Sequence, residues 1–150
     1  MAETKCGFND AGDKPGSSLL VMYGPTLMVN IGFDPKYKAG IVPIAGIKGV
    51  RALVDTGATE CCIDNLLASQ LRLPIVDRRA ISGVHGSQLT NMYLAQVHIP
   101  TLNSTVHGAF AGVDLRAGGQ MHSALIGRTF LQNFKMTYEG KTGTVIISSD

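Results

Sequence analysis

Apolar and polar positions alternate over residues 26–33, where Leu27, Val29, Ile31 and Phe33 are separated by smaller or polar neighbours. A two-residue period of this kind is that of a strand with one buried face. Asp34-Pro35 stops the run, since proline has no amide to give a ladder. Upstream, residues 19–23 are apolar and precede Gly24-Pro25, which predicts a short strand and a turn. Residues 1–18 are polar, rich in Gly, Asp, Lys and Ser, and lack any apolar period. They are expected to form a flexible extension, so the organisation expected is an extension over 1–24 and one folded domain over 25–150.

Residues 35–48 carry two apolar pieces among prolines and glycines and read either as a long connection or as a short strand. Residues 50–54 predict a strand and residues 60–63 its return. Asp64 then has the form of a helix N-cap, with Leu67 and Leu71 four apart on one face and Pro74 closing the helix. Residues 75–81 and 89–99 are the arms of a long hairpin whose tip, residues 82–87, carries Gly83 and Gly86. Such a tip is either a surface turn or a lid. Residues 106–113 and 124–126 continue the strand pattern, Thr129 is placed to cap a short helix with Phe130 and Phe134 on one side, and residues 136–147 form a closing hairpin.

Composition narrows the function more than the fold. The 150 residues suit one domain with its own core, and the scattered charges, netting +2, leave no electrostatic footprint for nucleic acid. Cys6, Cys61 and Cys62 are odd in number and include two neighbours, so reduced thiols are expected, with a cytoplasmic location. No signal peptide is visible, and no segment reaches the ~20 apolar residues of a membrane helix. His85, His98, His107 and His122 lack metal-ligand spacing, so neither metal nor other cofactor is expected. Gly140-Lys141-Thr142 has Lys135 where a phosphate-binding loop needs glycine.

Chemistry concentrates in Leu53-Val54-Asp55-Thr56-Gly57-Ala58, an apolar strand that ends in a carboxylate, a hydroxyl and a glycine. Asp55 thus stands where the backbone must bend. Ala124-Leu125-Ile126-Gly127-Arg128-Thr129 repeats the shape 72 residues on, position 124 against 52, and predicts two related halves. Hydrolysis by carboxylates requires two of them sharing a proton, yet the second half has Gly127 where the first has Asp55. A second copy of the chain must supply the missing acid across a two-fold axis.

The first motif, the glycine-bearing hairpin around Gly83 to Gly86, and Leu125-Ile126-Gly127-Arg128 before a short helix resemble, in order and spacing, the retroviral-type (retropepsin-like) aspartic proteases. The likeness covers about residues 25–147 and is to free-standing, bacterial-style members. It implies an all-β half-barrel with two short helices and a flap hairpin, assembled as a two-fold homodimer that acts on peptide or unfolded polypeptide without nucleic acid or membrane. It implies further that Asp55 is the catalytic acid/base and that Thr56 bonds across the dimer. Gly57, Ala58 and Thr59 would line the cleft, Gly83, Val84, His85 and Gly86 would form the flap, and Gly127 and Arg128 would brace the active loop. Three features depart from the viral pattern: Thr59 where an acid is usual, with Glu60 one residue later; polar His85 at the flap tip; and a longer helix after Asp64. Thr59 and His85 support the alternative of a peptide-binding scaffold dimer that cleaves weakly or not at all.

Overall fold

The computed structural model describes residues 2–83 and 86–149. In chain order these residues form β1 (Glu3–Lys5), α1 (Gly16–Tyr23), β2 (Thr26–Gly32), β3 (Ile47–Val54), β4 (Cys62–Asp64), α2 (Asn65–Gln70) and β5 (Ile75–Gly83). They continue with β6 (Gly86–Ile99), a 3-10 turn (Pro100–Leu102), β7 (Ser104–Val113), β8 (Ala124–Ile126), α3 (Arg128–Leu131), β9 (Lys135–Glu139) and β10 (Thr144–Ser148). The main sheet runs β2-β3-β8-β4-β7-β6-β5, and β2 also pairs with β6. Six strands therefore close into a ring, with β5 continuing from the outer half of β6. Val29, Ile31, Ile63, Val97, Ile99 and Ile126 fill the ring and are fully buried, as alternation places every second side chain inside.

The alternating segment became β2, the hairpin arms became β5 and β6, and Asp64 caps α2 by accepting from the Leu67 amide at 3.1 Å. Residues 35–46 proved to be a connection, with β3 starting at Ile47. The start of the chain differs most from expectation. Residues 3–5 pair with β10, Cys6 and Leu20 join the core, and residues 16–23 are a helix rather than a flexible stretch followed by a strand. Close backbone contact is the physical reason: Cβ atoms at Gly7 and Gly16 would run into the backbone of Gly143 and Phe8 respectively. Asp10 also anchors the Gly16 amide through Oδ1 at 2.7 Å. None of this registers as an apolar period.

A second difference concerns α3. It begins at Arg128 behind Gly127, with no side-chain cap, so Thr129 lies inside the helix and its amide donates to the Thr59 carbonyl at 3.0 Å. Phe130 and Phe134 do stack, with ring centroids 4.7 Å apart. Among the described residues, no helix is long and apolar enough to cross a membrane.

Candidate active site

The two similar motifs lie side by side. β3 and β8 run parallel, with Ala52 facing Ala124, Leu53 facing Leu125 and Val54 facing Ile126, so the 72-residue repeat is a spatial pair. Just past the strands, the Asp55 amide donates to the Ile126 carbonyl at 2.9 Å. Asp55 is half-buried, and its Oδ1 accepts from the Gly57 amide at 2.9 Å, which orients the carboxyl group. Thr56 and Gly57 stand exposed at the turn, with Ala58 half-buried and Thr59 exposed behind them.

Gly127 and Arg128 hold this loop from the other half. A Cβ on Gly127 would sit 2.5 Å from the Glu60 carbonyl oxygen and 2.9 Å from that of Ala58, so only glycine lets the loop come this close. The Arg128 amide donates to the Ala58 carbonyl at 2.9 Å. Its guanidinium donates to the Thr56 carbonyl at 2.7 Å and to Thr59 Oγ1 at 3.1 Å. The position that departs from the viral pattern is therefore occupied by a hydroxyl that accepts from the arginine in place of a carboxylate.

Alternation puts Leu53 on the same side of β3 as Asp55 and Val54 on the other, in the core. Register partners share a face, so Leu53, Leu125, Cys62 and Ala111 make one row across β3, β8, β4 and β7. That row is an apolar strip beside the carboxylate. Cys61 and Cys62 lie next to the active loop: the Cys61 sulfur accepts from the Gly127 amide at 3.4 Å. Burial, with the negative charge of Glu60 and Asp55 adding to it, pushes the Cys62 thiol up to about 11, and burial raises Cys61 as well. Both thiols stay neutral near pH 7 and are poor nucleophiles.

Gly83 pairs with Gly86 and Ser82 with Ser87 at the end of the long hairpin, while Val84 and His85 lie outside the described residues. The root of the hairpin is tied to the body by a polar chain that sequence spacing did not suggest. Arg78 Nε donates to Asn91 Oδ1 at 3.1 Å, Asn91 Nδ2 to Tyr93 Oη at 3.3 Å and Tyr93 Oη to Asn65 Oδ1 at 3.0 Å. Asn65 Nδ2 in turn donates to Asp114 Oδ1 at 2.8 Å. Asp64 has a second role that its sequence position did not disclose. Fully buried, it accepts from the Leu115 and Arg116 amides through Oδ1 as well as capping α2. Among the described residues, no group of three or more His, Cys, Asp or Glu is arranged to hold a metal ion.

Comparison with known proteins bears on this geometry. The chain has 14% identity with a retropepsin-like aspartic protease from Rickettsia conorii, at a TM-score of 0.50 over 97% of this chain and 89% of that one. EIAV protease complexed with the inhibitor HBY-793 gives 18% identity and a TM-score of 0.48, covering 72% and 85%. The retroviral protease-like domain of Ddi1 from Leishmania major gives 18% and 0.40, covering 77% and 82%. No curated protein matches the chain. The fold is retropepsin-like, mostly β with a few short helices. A family model described as aspartyl protease matches residues 41–130, more than half of the chain and the stretch that holds both paired motifs, and the chain accordingly belongs to the aspartyl protease family.

Proposed function

We propose that this protein is a homodimeric aspartic endopeptidase acting on extended peptide or unfolded polypeptide, with Asp55 of each subunit forming the catalytic pair. The observation that carries the reading is the placement of Asp55. It follows β3 directly, half-buried, oriented by Gly57 and clasped from the opposite half by Gly127 and Arg128. One ionised carboxylate takes a proton from water as the water oxygen bonds to the peptide carbonyl carbon, and the protonated partner donates to the carbonyl oxygen. Collapse of that adduct breaks the C–N bond while the nitrogen takes a proton. Neither a covalent intermediate nor a metal is part of the scheme.

Thr56, exposed at the turn, bonds its counterpart across the axis. Backbone groups of Gly57, Ala58 and Thr59 receive the substrate as an added strand, and the strip of Leu53, Leu125 and Cys62 favours apolar side chains next to the cleaved bond. The β5–β6 hairpin that pairs Gly83 with Gly86 serves as a flap over the peptide and excludes water. Residues 25–150 make up the protease domain, with the preceding residues packed against it. Two carboxylates at close range share one proton, so turnover has an acidic optimum.

A peptide-library cleavage profile over a pH series, run beside Asp55→Asn, tests the reading. Cleavage by the wild type and none by the variant, with the dimer kept, is the expected result. Peptide binding without cleavage at any pH would favour the scaffold alternative, to which the Thr59 hydroxyl at Arg128 lends weight.

A further inference from the structure

Among the described residues, nothing covers the side of helix α1 that carries Val21 and Met22. Val21 is 84% exposed and Met22 57%, Tyr23 is 37% exposed with its ring centroid 6.0 Å from that of Phe8, and Leu20 is buried. Eight residues exposing three large apolar side chains in succession is unusual for a helix already seated on a core. Its position is as informative as its composition. The Pro25 carbonyl accepts from the Val54 amide at 2.9 Å, Thr26 faces Leu53 in the ladder, and a Cβ on Gly24 would lie 2.7 Å from Leu53 Cδ1. The C-terminal end of α1 is thus fastened one residue from Asp55. With a rise of about 1.5 Å per helical residue and about 4.8 Å between strands, Val21 stands within roughly 15 Å of that carboxylate.

We infer that the exposed face of α1 is a contact surface for a second copy of this chain. The inference rests on the dimeric reading above and names the surface that reading requires. Bringing two Asp55 groups together on an axis buries the loop over residues 55–60, but that is six residues, two of them already half-buried. A stable interface takes about 20–30 residues and about 800 Å² from each partner. The contact must spread to surface continuous with the loop, and α1 supplies apolar surface there. The terminal sheet offers no slot for an inserted partner strand at β10, because β1 fills one of its edges and β9 the other. Two helices approaching across the axis bury Val21 and Met22 against the other subunit and so anchor the catalytic pair.

Sedimentation over a concentration series of the full chain, Val21→Lys, Met22→Lys and Ile44→Lys tests this. Ile44 is 77% exposed in the connection leading to the start of β3, at the end of the strand away from Asp55, and serves as the control. Because Val21 and Met22 make up solvent-facing surface, circular dichroism should show all variants folded. The expected result is a dissociation constant raised at least about tenfold by either α1 substitution, as expected for a charge forced into an apolar contact, and unchanged by Ile44→Lys. A wild-type dimer that Val21→Lys and Met22→Lys leave equally tight overturns the inference and spares the dimeric reading. A wild type that stays monomeric at every concentration, with and without a peptide transition-state mimic, overturns both.

Discussion

Replacing Gly127 with alanine adds one methyl group where two halves of the molecule meet. Gly127 has φ −94°, a conformation alanine adopts freely, so the substitution tests packing alone. The new Cβ would stand 2.5 Å from the Glu60 oxygen, 2.7 Å from the Glu60 carbonyl carbon and 2.9 Å from the Ala58 oxygen. Each is short of the ~3.5 Å at which carbon contacts become attractive. All three are backbone atoms, so relief requires the active loop to retreat. Overpacking of this kind costs ~1–3 kcal/mol. Retreat also stretches the bonds from the Arg128 and Thr129 amides to Ala58 and Thr59, 2.9 and 3.0 Å long, at about 1 kcal/mol each. The sum, about 3–5 kcal/mol, lowers the melting temperature by roughly 10 °C in a domain of this size. Thermal unfolding by circular dichroism measures it, and hydrogen exchange at the Arg128 and Thr129 amides reports where the damage lies. Gly140→Ala is the control. Its nearest neighbour, Tyr138 Cε1, would be 3.6 Å away, and the melt should move by no more than about 2 °C. A Gly127→Ala protein that melts with the wild type and keeps both amides protected would refute the close-approach account of this loop.

Asp64→Ala removes the shared acceptor of the Leu67, Leu115 and Arg116 amides and should cost about 3 kcal/mol, read from denaturant unfolding; a loss below about 1 kcal/mol would show that water replaces the carboxylate. His122 should make the fold sensitive to acid. Thr26 Oγ1 donates to the Gly24 carbonyl and meets His122 Nε2 at 2.8 Å, so Nε2 carries the proton and, among the described residues, the buried Nδ1 has no partner. Burial, and secondarily the charge of Arg51, hold the imidazole below its usual range. A group depressed in the folded state contributes stability that is present above its unfolded value, about 6.5, and is lost as pH falls through the folded one. Wild-type melts should therefore decline below about pH 6.5 more steeply than those of His122→Gln; parallel curves would remove His122 from the account.

The segment that became β2 was legible because burial on one face imposes a two-residue period, and the arms that became β5 and β6 because glycines mark the tip between them; β1 and the order of the strands in the sheet were not. The candidate site was legible because Asp55 interrupts an apolar run and because Gly127-Arg128 repeats the motif without its acid. Helix α1 was not. Its side chains are apolar on the solvent side as well as the buried side, so the segment has no helical stripe, and its place depends on glycine backbones packing against Gly143. The chain from Arg78 to Asp114 was equally hidden, since hydrogen-bond partners 28 and 49 residues apart leave no local signal.

By itself, then, the sequence determined which residues of β2 alternate, where the chain turns and which carboxylate follows an apolar strand, since these follow from local periodicity and backbone chemistry. Tertiary structure alone decided that the two motifs pair in parallel at matching positions, that Thr59 accepts from Arg128, and that residues 3–23 pack onto the domain. Those outcomes depend on the closing of the β-ring and on which backbones can approach within van der Waals distance, neither of which a linear pattern of side chains records.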